Sequence, residues 1–224
     1  MKREIILTKD GSTSILLPDW NETYHSKFGA IQEAKHVFIK NGLSLFEGKS
    51  VSILEIGFGT GLNAFITYLE AKKTGQGIDY TGVEAYPVSQ EDALKMNYAA
   101  ELEALPYEEI FLKMHESDWN KKVSLDPNFM LEKQSKKFQE IADEEKYDLI
   151  YFDAFGFRVQ PELWSLEIFK IMFKALKPNG ILVTYACRSS IKNAMKESGF
   201  EVEKLNGPPG KREMLRAKKI IGME

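Results

Sequence analysis

Val51-Ser52-Ile53-Leu54-Glu55-Ile56-Gly57-Phe58-Gly59-Thr60-Gly61-Leu62-Asn63-Ala64 is the stretch that decides the fold of this 224-residue chain. Val51 to Ile56 reads as a buried strand, the three glycines as a sharp turn, and Leu62 onward as a helix. Positions without a Cβ let the backbone turn tightly and let a ligand lie against it. The exposed N–H groups of the following helix attract negative charge. Two cofactor classes use this geometry. Dinucleotides place a pyrophosphate there; S-adenosylmethionine (SAM) places its aminocarboxylate and ribose there. Gly59 to Ala64 also fits the dinucleotide form G-x-G-x-x-A, so an NAD(P)-dependent oxidoreductase is an alternative on the glycines alone.

Strands and helices alternate outward from this turn. Upstream, Glu4–Thr8 and Thr13–Leu17 flank Lys9-Asp10-Gly11-Ser12 and predict a hairpin, because Asp-Gly supplies the positive φ of a tight turn. Ala30–Lys40 has the apolar spacing of a helix, with Asn41-Gly42 after it. Downstream, the sequence predicts strands at 80–84, 109–114, 147–153 and 181–186. It predicts helices at 89–103, 165–176 and 189–198, with one more surface helix within 120–145. A closing pair of strands at 200–205 and 213–218 follows. Such alternation predicts a mostly parallel sheet covered on both faces, with a terminal antiparallel hairpin. The expected division is residues 1–48 as an N-terminal hairpin and helix extension packed on the core, and 49–224 as the main domain.

Composition narrows the function classes. Hydrophobic residues make up 43% and charged residues 28%, with a net charge of −3, the balance of a globular domain. No apolar run has the length of a membrane-spanning helix, and the basic start Met1-Lys2-Arg3 lacks a secretory apolar core. A cytoplasmic protein is expected. The single cysteine, Cys187, excludes an internal disulfide and a multi-cysteine zinc site, and no metal is expected. Charge is uneven along the chain. Residues 84–109 hold seven acids and one lysine, whereas 204–219 hold six bases and one acid.

Acids at expected strand ends favour SAM over a dinucleotide. Glu55 sits where it can face a cationic amino group, and a pyrophosphate would be repelled there. Glu84 suits the ribose hydroxyls. Ser117 and Asp118, past the expected third strand, suit an adenine amino group. Asp153-Ala154-Phe155 closes a strand at the sheet's carboxyl edge, where open α/β sheets bind ligands. The expected fold is therefore Rossmann-like α/β, with SAM as the favoured ligand.

Several segments resemble one family across nearly the whole chain. Leu54 to Asn63 is similar to the cofactor motif of the MnmC-like tRNA methyltransferase domain. Asp153-Ala154-Phe155 resembles its Asp-Gly-Phe segment, and Pro161-Glu162-Leu163-Trp164 loosely resembles its Asn-Pro-Asp-Met-Trp stretch. Lys211-Arg212-Glu213-Met214-Leu215 resembles its terminal Lys-Arg-Glu-Met-Leu. Tyr24-His25-Ser26 and Gly29 through Phe38 resemble its N-terminal segment. The resemblance implies the class I SAM-dependent methyltransferase fold class, and methylation of the aminomethyl group of 5-aminomethyl(-2-thio)uridine at the tRNA wobble position. It also implies a standalone MnmD-type form without the FAD domain, so that a separate FAD-dependent enzyme would act upstream. A methyltransferase acting on a protein or small-molecule amine is a further alternative, and so is a non-catalytic SAM- or tRNA-binding module.

Roles follow for individual residues. Asp153 is expected to hold the amine. Tyr24, Glu33, Glu55, Gly57, Phe58, Gly59, Gly61, Asn63, Glu84, Ser117, Asp118 and Asp153 are expected around the cofactor. Phe155, Phe157 and Trp164 are expected to stack on the uracil ring, and Lys204, Lys211 and Arg212 to hold phosphates of the anticodon loop. Bland roles compete: Asp153 as a cap, Phe155 and Phe157 as core, the 204–219 bases as a solvated hairpin face, and His36 and His115 as ordinary.

Overall fold

The computed structural model describes residues 2–220. Met1 of the expected N-terminal extension and residues 221–224 of the expected main domain lie outside the described residues. At the N-terminus, Asp10 accepts bonds from the Thr8 and Ser12 hydroxyls at 2.7 and 2.5 Å. That turn joins β1 (Glu4–Leu7) to β2 (Thr13–Leu17), and β3 (Glu22–Thr23) completes a three-stranded sheet. Helix α1 (Ala30–Ala34) continues as wider π-helical turns over Lys35–Lys40.

The main sheet follows. Its elements in chain order are β4 (Val51–Ile56), α2 (Leu62–Thr74), β5 (Ile78–Glu84), α3 (Gln90–Ala93), α4 (Tyr98–Glu101), α5 (Glu108–Glu116), β6 (Lys122–Asp126) and β7 (Phe129–Ser135). Then come β8 (Tyr147–Phe152), α6 (Leu166–Ala175), β9 (Leu176–Thr184), α7 (Ser189–Glu197), β10 (Phe200–Asn206) and β11 (Glu213–Lys219). The strand order is β10-β11-β9-β8-β4-β5-β7-β6. Strands β9, β8, β4, β5 and β7 run parallel, β11 is antiparallel to both neighbours, and β6 is antiparallel to β7. This is the mixed Rossmann-like sheet that the alternation predicts.

Alternate residues of β4 feed the two faces. Ile53 packs with Phe38, Phe65, Phe111 and Tyr151; Leu54 and Ile56 pack with Phe152, Phe169 and Met172. Ile15, Leu17 and Val37 belong to the same apolar cluster as Ile53 and Phe65, so the first 48 residues share the core of the main sheet. Strand order reverses at β4, whose neighbours are β5 and β8. A ligand cleft belongs at that switch point, beyond the carboxyl ends of the strands.

Three expected elements differ. Residues 109–114 are not the third strand; they lie in helix α5, which buries Phe111 and Met114 on one side. The 120–145 region is a β6–β7 hairpin followed by a single 3-10 turn at Phe138–Glu140 rather than a surface helix. The 89–103 helix is broken into α3 and α4, although its Ser89 cap on Asp92 N–H is present at 3.1 Å. Strand β9 also starts earlier than predicted, at Leu176.

Candidate functional site

A cavity of about 1020 Å³ opens at the carboxyl edge of the sheet, between the glycine turn and the N-terminal segment. Its back wall is the turn itself. Gly57 has φ +89°, and a Cβ there would lie 2.7 Å from the Asp153 carbonyl oxygen, so only glycine fits. Gly59 has φ +50° and lies against the Tyr24 ring. Its N–H donates to Glu84 Oε2 at 3.1 Å, while Tyr86 N–H donates to Glu84 Oε1 at 2.9 Å. Glu84 thus ties the end of β5 to the loop and still presents lone pairs to the cavity it lines.

His115 supports the loop from behind, at 3.1 Å from the Thr60 carbonyl. Burial and the nearby Lys133 push its pKa down to about 4, so the neutral ring donates from Nε2. Gly61, with φ +74°, packs against this ring instead of lining the cavity. Lys133, 1% exposed, donates to the His115 carbonyl at 2.9 Å and lies 4.9 Å from the centre of the Trp119 ring.

The floor is a row of carboxyl groups spaced by one amide. Asn63 Nδ2 donates to Glu55 Oε1 at 2.9 Å and to Asp153 Oδ2 at 2.8 Å. Tyr80 donates to the other Glu55 oxygen at 2.8 Å. Glu55 is fully buried and does not line the cavity. The expectation that it faces a cofactor amino group is therefore corrected: it holds the Asn63 amide, and burial raises its pKa well above the usual carboxylate range. Asn63 is in the cavity wall, and its Oδ1 is buried with no partner. A lone acceptor in a buried wall costs free energy unless a donor meets it, and an ammonium is such a donor. That orphaned oxygen and the side-chain-free cradle of Gly57 and Gly59 fit the aminocarboxylate end of SAM. Tyr24, Glu33, Phe58 and Glu84 also line the cavity.

Asp153 stands at the end of β8, its backbone N–H bonded to the Ile56 carbonyl at 2.9 Å. Its pKa is raised to about 7, first by burial and then by the charge of Glu33; the Asn63 bond and Lys211 act against this. Glu33 accepts from Lys211 and from Ser26 N–H. The Lys211 ammonium lies 3.9 Å from the centre of the Tyr185 ring, and Tyr185 donates to the Ala154 carbonyl at 2.8 Å. Lys211, expected to hold a phosphate, instead counters the acids beside Asp153.

Other expectations divide. Phe155 lines the cavity, edge-on to Tyr24 and Trp20 at 4.9 and 5.8 Å between centroids. Trp164 does not: it is 2% exposed, packs on Phe152 and donates to the Phe155 carbonyl at 2.8 Å. Phe157 lies under Arg188, outside the cavity lining. Ser117 bonds the Met114 carbonyl, and Asp118 pairs on the surface with Lys121 at 2.6 Å. Neither reaches the cavity, because α5 replaces the expected strand. The carboxyl end of the true third strand, β7, brings Lys137, Phe138 and Gln139 to that wall. Lys204 pairs with Glu213 at 2.8 Å, and Arg212 is exposed beyond the lining. Sequence reading missed Arg3, Trp20, Lys137, Gln139 and Tyr185. The aromatic pair Trp20 and Tyr185 carried only the signal that flanks of strand ends often hold ligand contacts.

Among the described residues, no three His, Cys, Asp or Glu side chains cluster as a metal site, and no helix is long and apolar enough to cross a membrane.

Comparison with known proteins adds three findings. The profile of a family described as S-adenosyl-L-methionine-dependent methyltransferase matches residues 95–220. The tRNA 5-methylaminomethyl-2-thiouridine biosynthesis bifunctional protein MnmC of Burkholderia multivorans is 27% identical over 90% of this chain and 33% of its own length. The MnmC of Campylobacter fetus is 28% identical over 87% of this chain and 34% of its own length. The chain thus spans about a third of the length of these curated relatives. Among solved structures, MnmC2 from Aquifex aeolicus superposes with a TM-score of 0.81 at 22% identity, covering 100% of this chain and 73% of that one. Spermidine synthase from Thermotoga maritima gives 0.51 at 14% identity over 96% and 72%. Both structures share the fold.

Proposed function

Because the chain belongs to the S-adenosyl-L-methionine-dependent methyltransferase family, we propose that it methylates the aminomethyl nitrogen of 5-aminomethyl-(2-thio)uridine at the tRNA wobble position. The product is 5-methylaminomethyl-(2-thio)uridine. The observation that carries this reading is Asp153, a carboxylate at the cavity floor beside the aromatic Phe155 and next to the orphaned Asn63 oxygen. The likeness to MnmC over most of this chain supports the substrate class. Cytoplasmic tRNA would be the substrate, and a separate upstream enzyme would supply the aminomethyl form.

SAM supplies a methyl group made electrophilic by its sulfonium. The chain's own residues do the rest by positioning. The amine enters after its ammonium proton has passed to water. Asp153 accepts one of its remaining N–H groups and so aims the nitrogen lone pair along the line of transfer, the N–CH3 bond forming as the S–CH3 bond breaks. It also stabilises the positive charge that the nitrogen gains. Glu84 would hold the ribose hydroxyls of SAM, and Asn63 Oδ1 its amino group. Phe155, flanked by Trp20 and Tyr24, forms the wall for the pyrimidine ring. A wobble base leaves its stack at low cost because its loop is single-stranded.

The test is incubation of the protein with SAM and tRNA from cells lacking the methylated nucleoside, followed by nucleoside mass analysis. The expected product is the methylaminomethyl nucleoside. Binding of SAM without that product would reject the substrate assignment.

A further inference from the structure

Phe28 and Tyr86 are exposed aromatic side chains in the cavity lining with no core role, and Phe28 is the one with a cation over its ring. Phe28 is 47% exposed, yet it lines the cavity together with Lys27, Gly210 and Lys211. An isolated exposed phenylalanine needs no explanation by itself. This one is mounted rigidly. Phe28 N–H donates to Ser26 Oγ at 3.2 Å, and Gly29 N–H donates to the Ser26 carbonyl at 3.1 Å. One edge of the ring presses on Gly210, where a Cβ would lie 2.3 Å from the ring. The Lys9 ammonium hovers 4.6 Å from the ring centre. Lys9 over the ring and Lys27 next to Phe28 in the chain are both exposed. Asp10, beside Gly29, is held by Ser12, Thr8 and Gln32 N–H, and Glu33 by Lys211 and Ser26 N–H.

An exposed aromatic face with exposed cations beside it is an arrangement that single-stranded nucleic acids use. Stacking on the ring is tolerant of base identity, and the cations follow the backbone. Phe28 also touches the segment that carries Lys211, which reaches Glu33 beside Asp153. The ring therefore sits at the mouth of the cavity whose floor carries Asp153. We infer that Phe28 is the stacking platform for the base adjacent to the methylated one in a single-stranded RNA loop, with Lys9 and Lys27 on its phosphates. This rests on the RNA reading above. On binding, the incoming base takes the ring face that Lys9 covers, and Lys9 turns to a phosphate.

The test uses a fluorescein-labelled anticodon stem–loop RNA, and the same RNA with 2-aminopurine at either loop position flanking the wobble base. Wild-type protein should bind the RNA and quench one of the two 2-aminopurine probes. Phe28→Ala should abolish that quench and weaken RNA binding about tenfold. Phe28→Trp should keep both, with affinity for S-adenosylhomocysteine the same in all three. An unchanged quench and affinity in Phe28→Ala would overturn the inference. A parallel fall in S-adenosylhomocysteine affinity would do the same, since it would reveal a structural role. Failure of the wild-type protein to bind the RNA overturns both this inference and the RNA reading. A Phe28-dependent quench without methylation of aminomethyl tRNA upholds the platform and removes only the proposed substrate.

Discussion

At the residue scale, the site turns on the charge of Asp153. Its pKa near 7 places the change from neutral acid to carboxylate inside the working pH range. Turnover should fall as pH drops through about 7, and Asp153→Asn should lose roughly 100-fold or more in kcat while still binding S-adenosylhomocysteine. Near-normal turnover in that variant would refute the role. Stability should move the other way. The folded pKa is raised from 3.8, so this group's contribution is complete below that value and is lost as pH rises through about 7. Asp153→Asn should therefore melt higher than wild type at pH 8, and the gain should vanish toward pH 4. The neighbours set the midpoint. Glu33 raises it and Lys211 lowers it, so Glu33→Gln should shift the acid limb of the rate profile down and Lys211→Met should shift it up. Identical midpoints in the two variants would exclude this coupling. Much of the floor was legible in sequence: Asn63, Glu84 and Asp153 follow strands or open the helix, as motif spacing requires. The orphaned Asn63 oxygen and the Lys211–Glu33 pair, 178 positions apart, were not, because only the fold brings them together.

At the element scale, the glycine turn is the least tolerant part. Gly57→Ala places a Cβ 2.7 Å from the Asp153 carbonyl at a φ of +89°. Strain of about 1–3 kcal/mol is expected, read as a loss of roughly tenfold or more in S-adenosylhomocysteine affinity by calorimetry. The strand that sequence reading missed shows why patterns mislead here. Strand β7, Phe129 to Ser135, carries Glu132, Lys133 and Gln134, and such polarity reads as surface. Lys133 is nevertheless buried, because the His115 carbonyl and the Trp119 ring receive its ammonium. Conversely, Ile110, Phe111, Leu112 and Met114 read as a strand, yet Phe111 and Met114 lie three apart on the buried side of α5. One misplaced strand put the adenine-side expectation on Ser117 and Asp118, whereas the end of β7 brings Lys137, Phe138 and Gln139 to the cavity. The basic 204–219 hairpin was also legible only as a charge sum. In the fold, Lys204, Lys211, Arg216 and Lys219 are paired with Glu213, Glu33, Glu203 and Glu145, so its field is weaker than its composition suggests.

At the scale of the whole molecule, the cofactor cavity lies between the N-terminal segment and the main sheet, so ligand binding should stabilise both. S-adenosylhomocysteine at about 100 times its Kd adds about 2.7 kcal/mol. For a chain of this size that is a Tm rise of about 5–10 °C, whereas NAD at the same concentration should leave Tm unchanged. A reversed result would favour the dinucleotide alternative. The strand order carries one more consequence. Strand β11 follows β10 in the chain but lies between β10 and β9 in the sheet, and the turn leading into it delivers Lys211 to Glu33. During synthesis on a ribosome, the glycine loop, Glu33 and Asp153 emerge well before their counter-charge. Until β11 emerges from the exit tunnel, β9 lacks its neighbour on that side and Glu33 lacks Lys211. The nascent protein thus gains the neighbour of β9 and the counter-charge of Glu33 in one event.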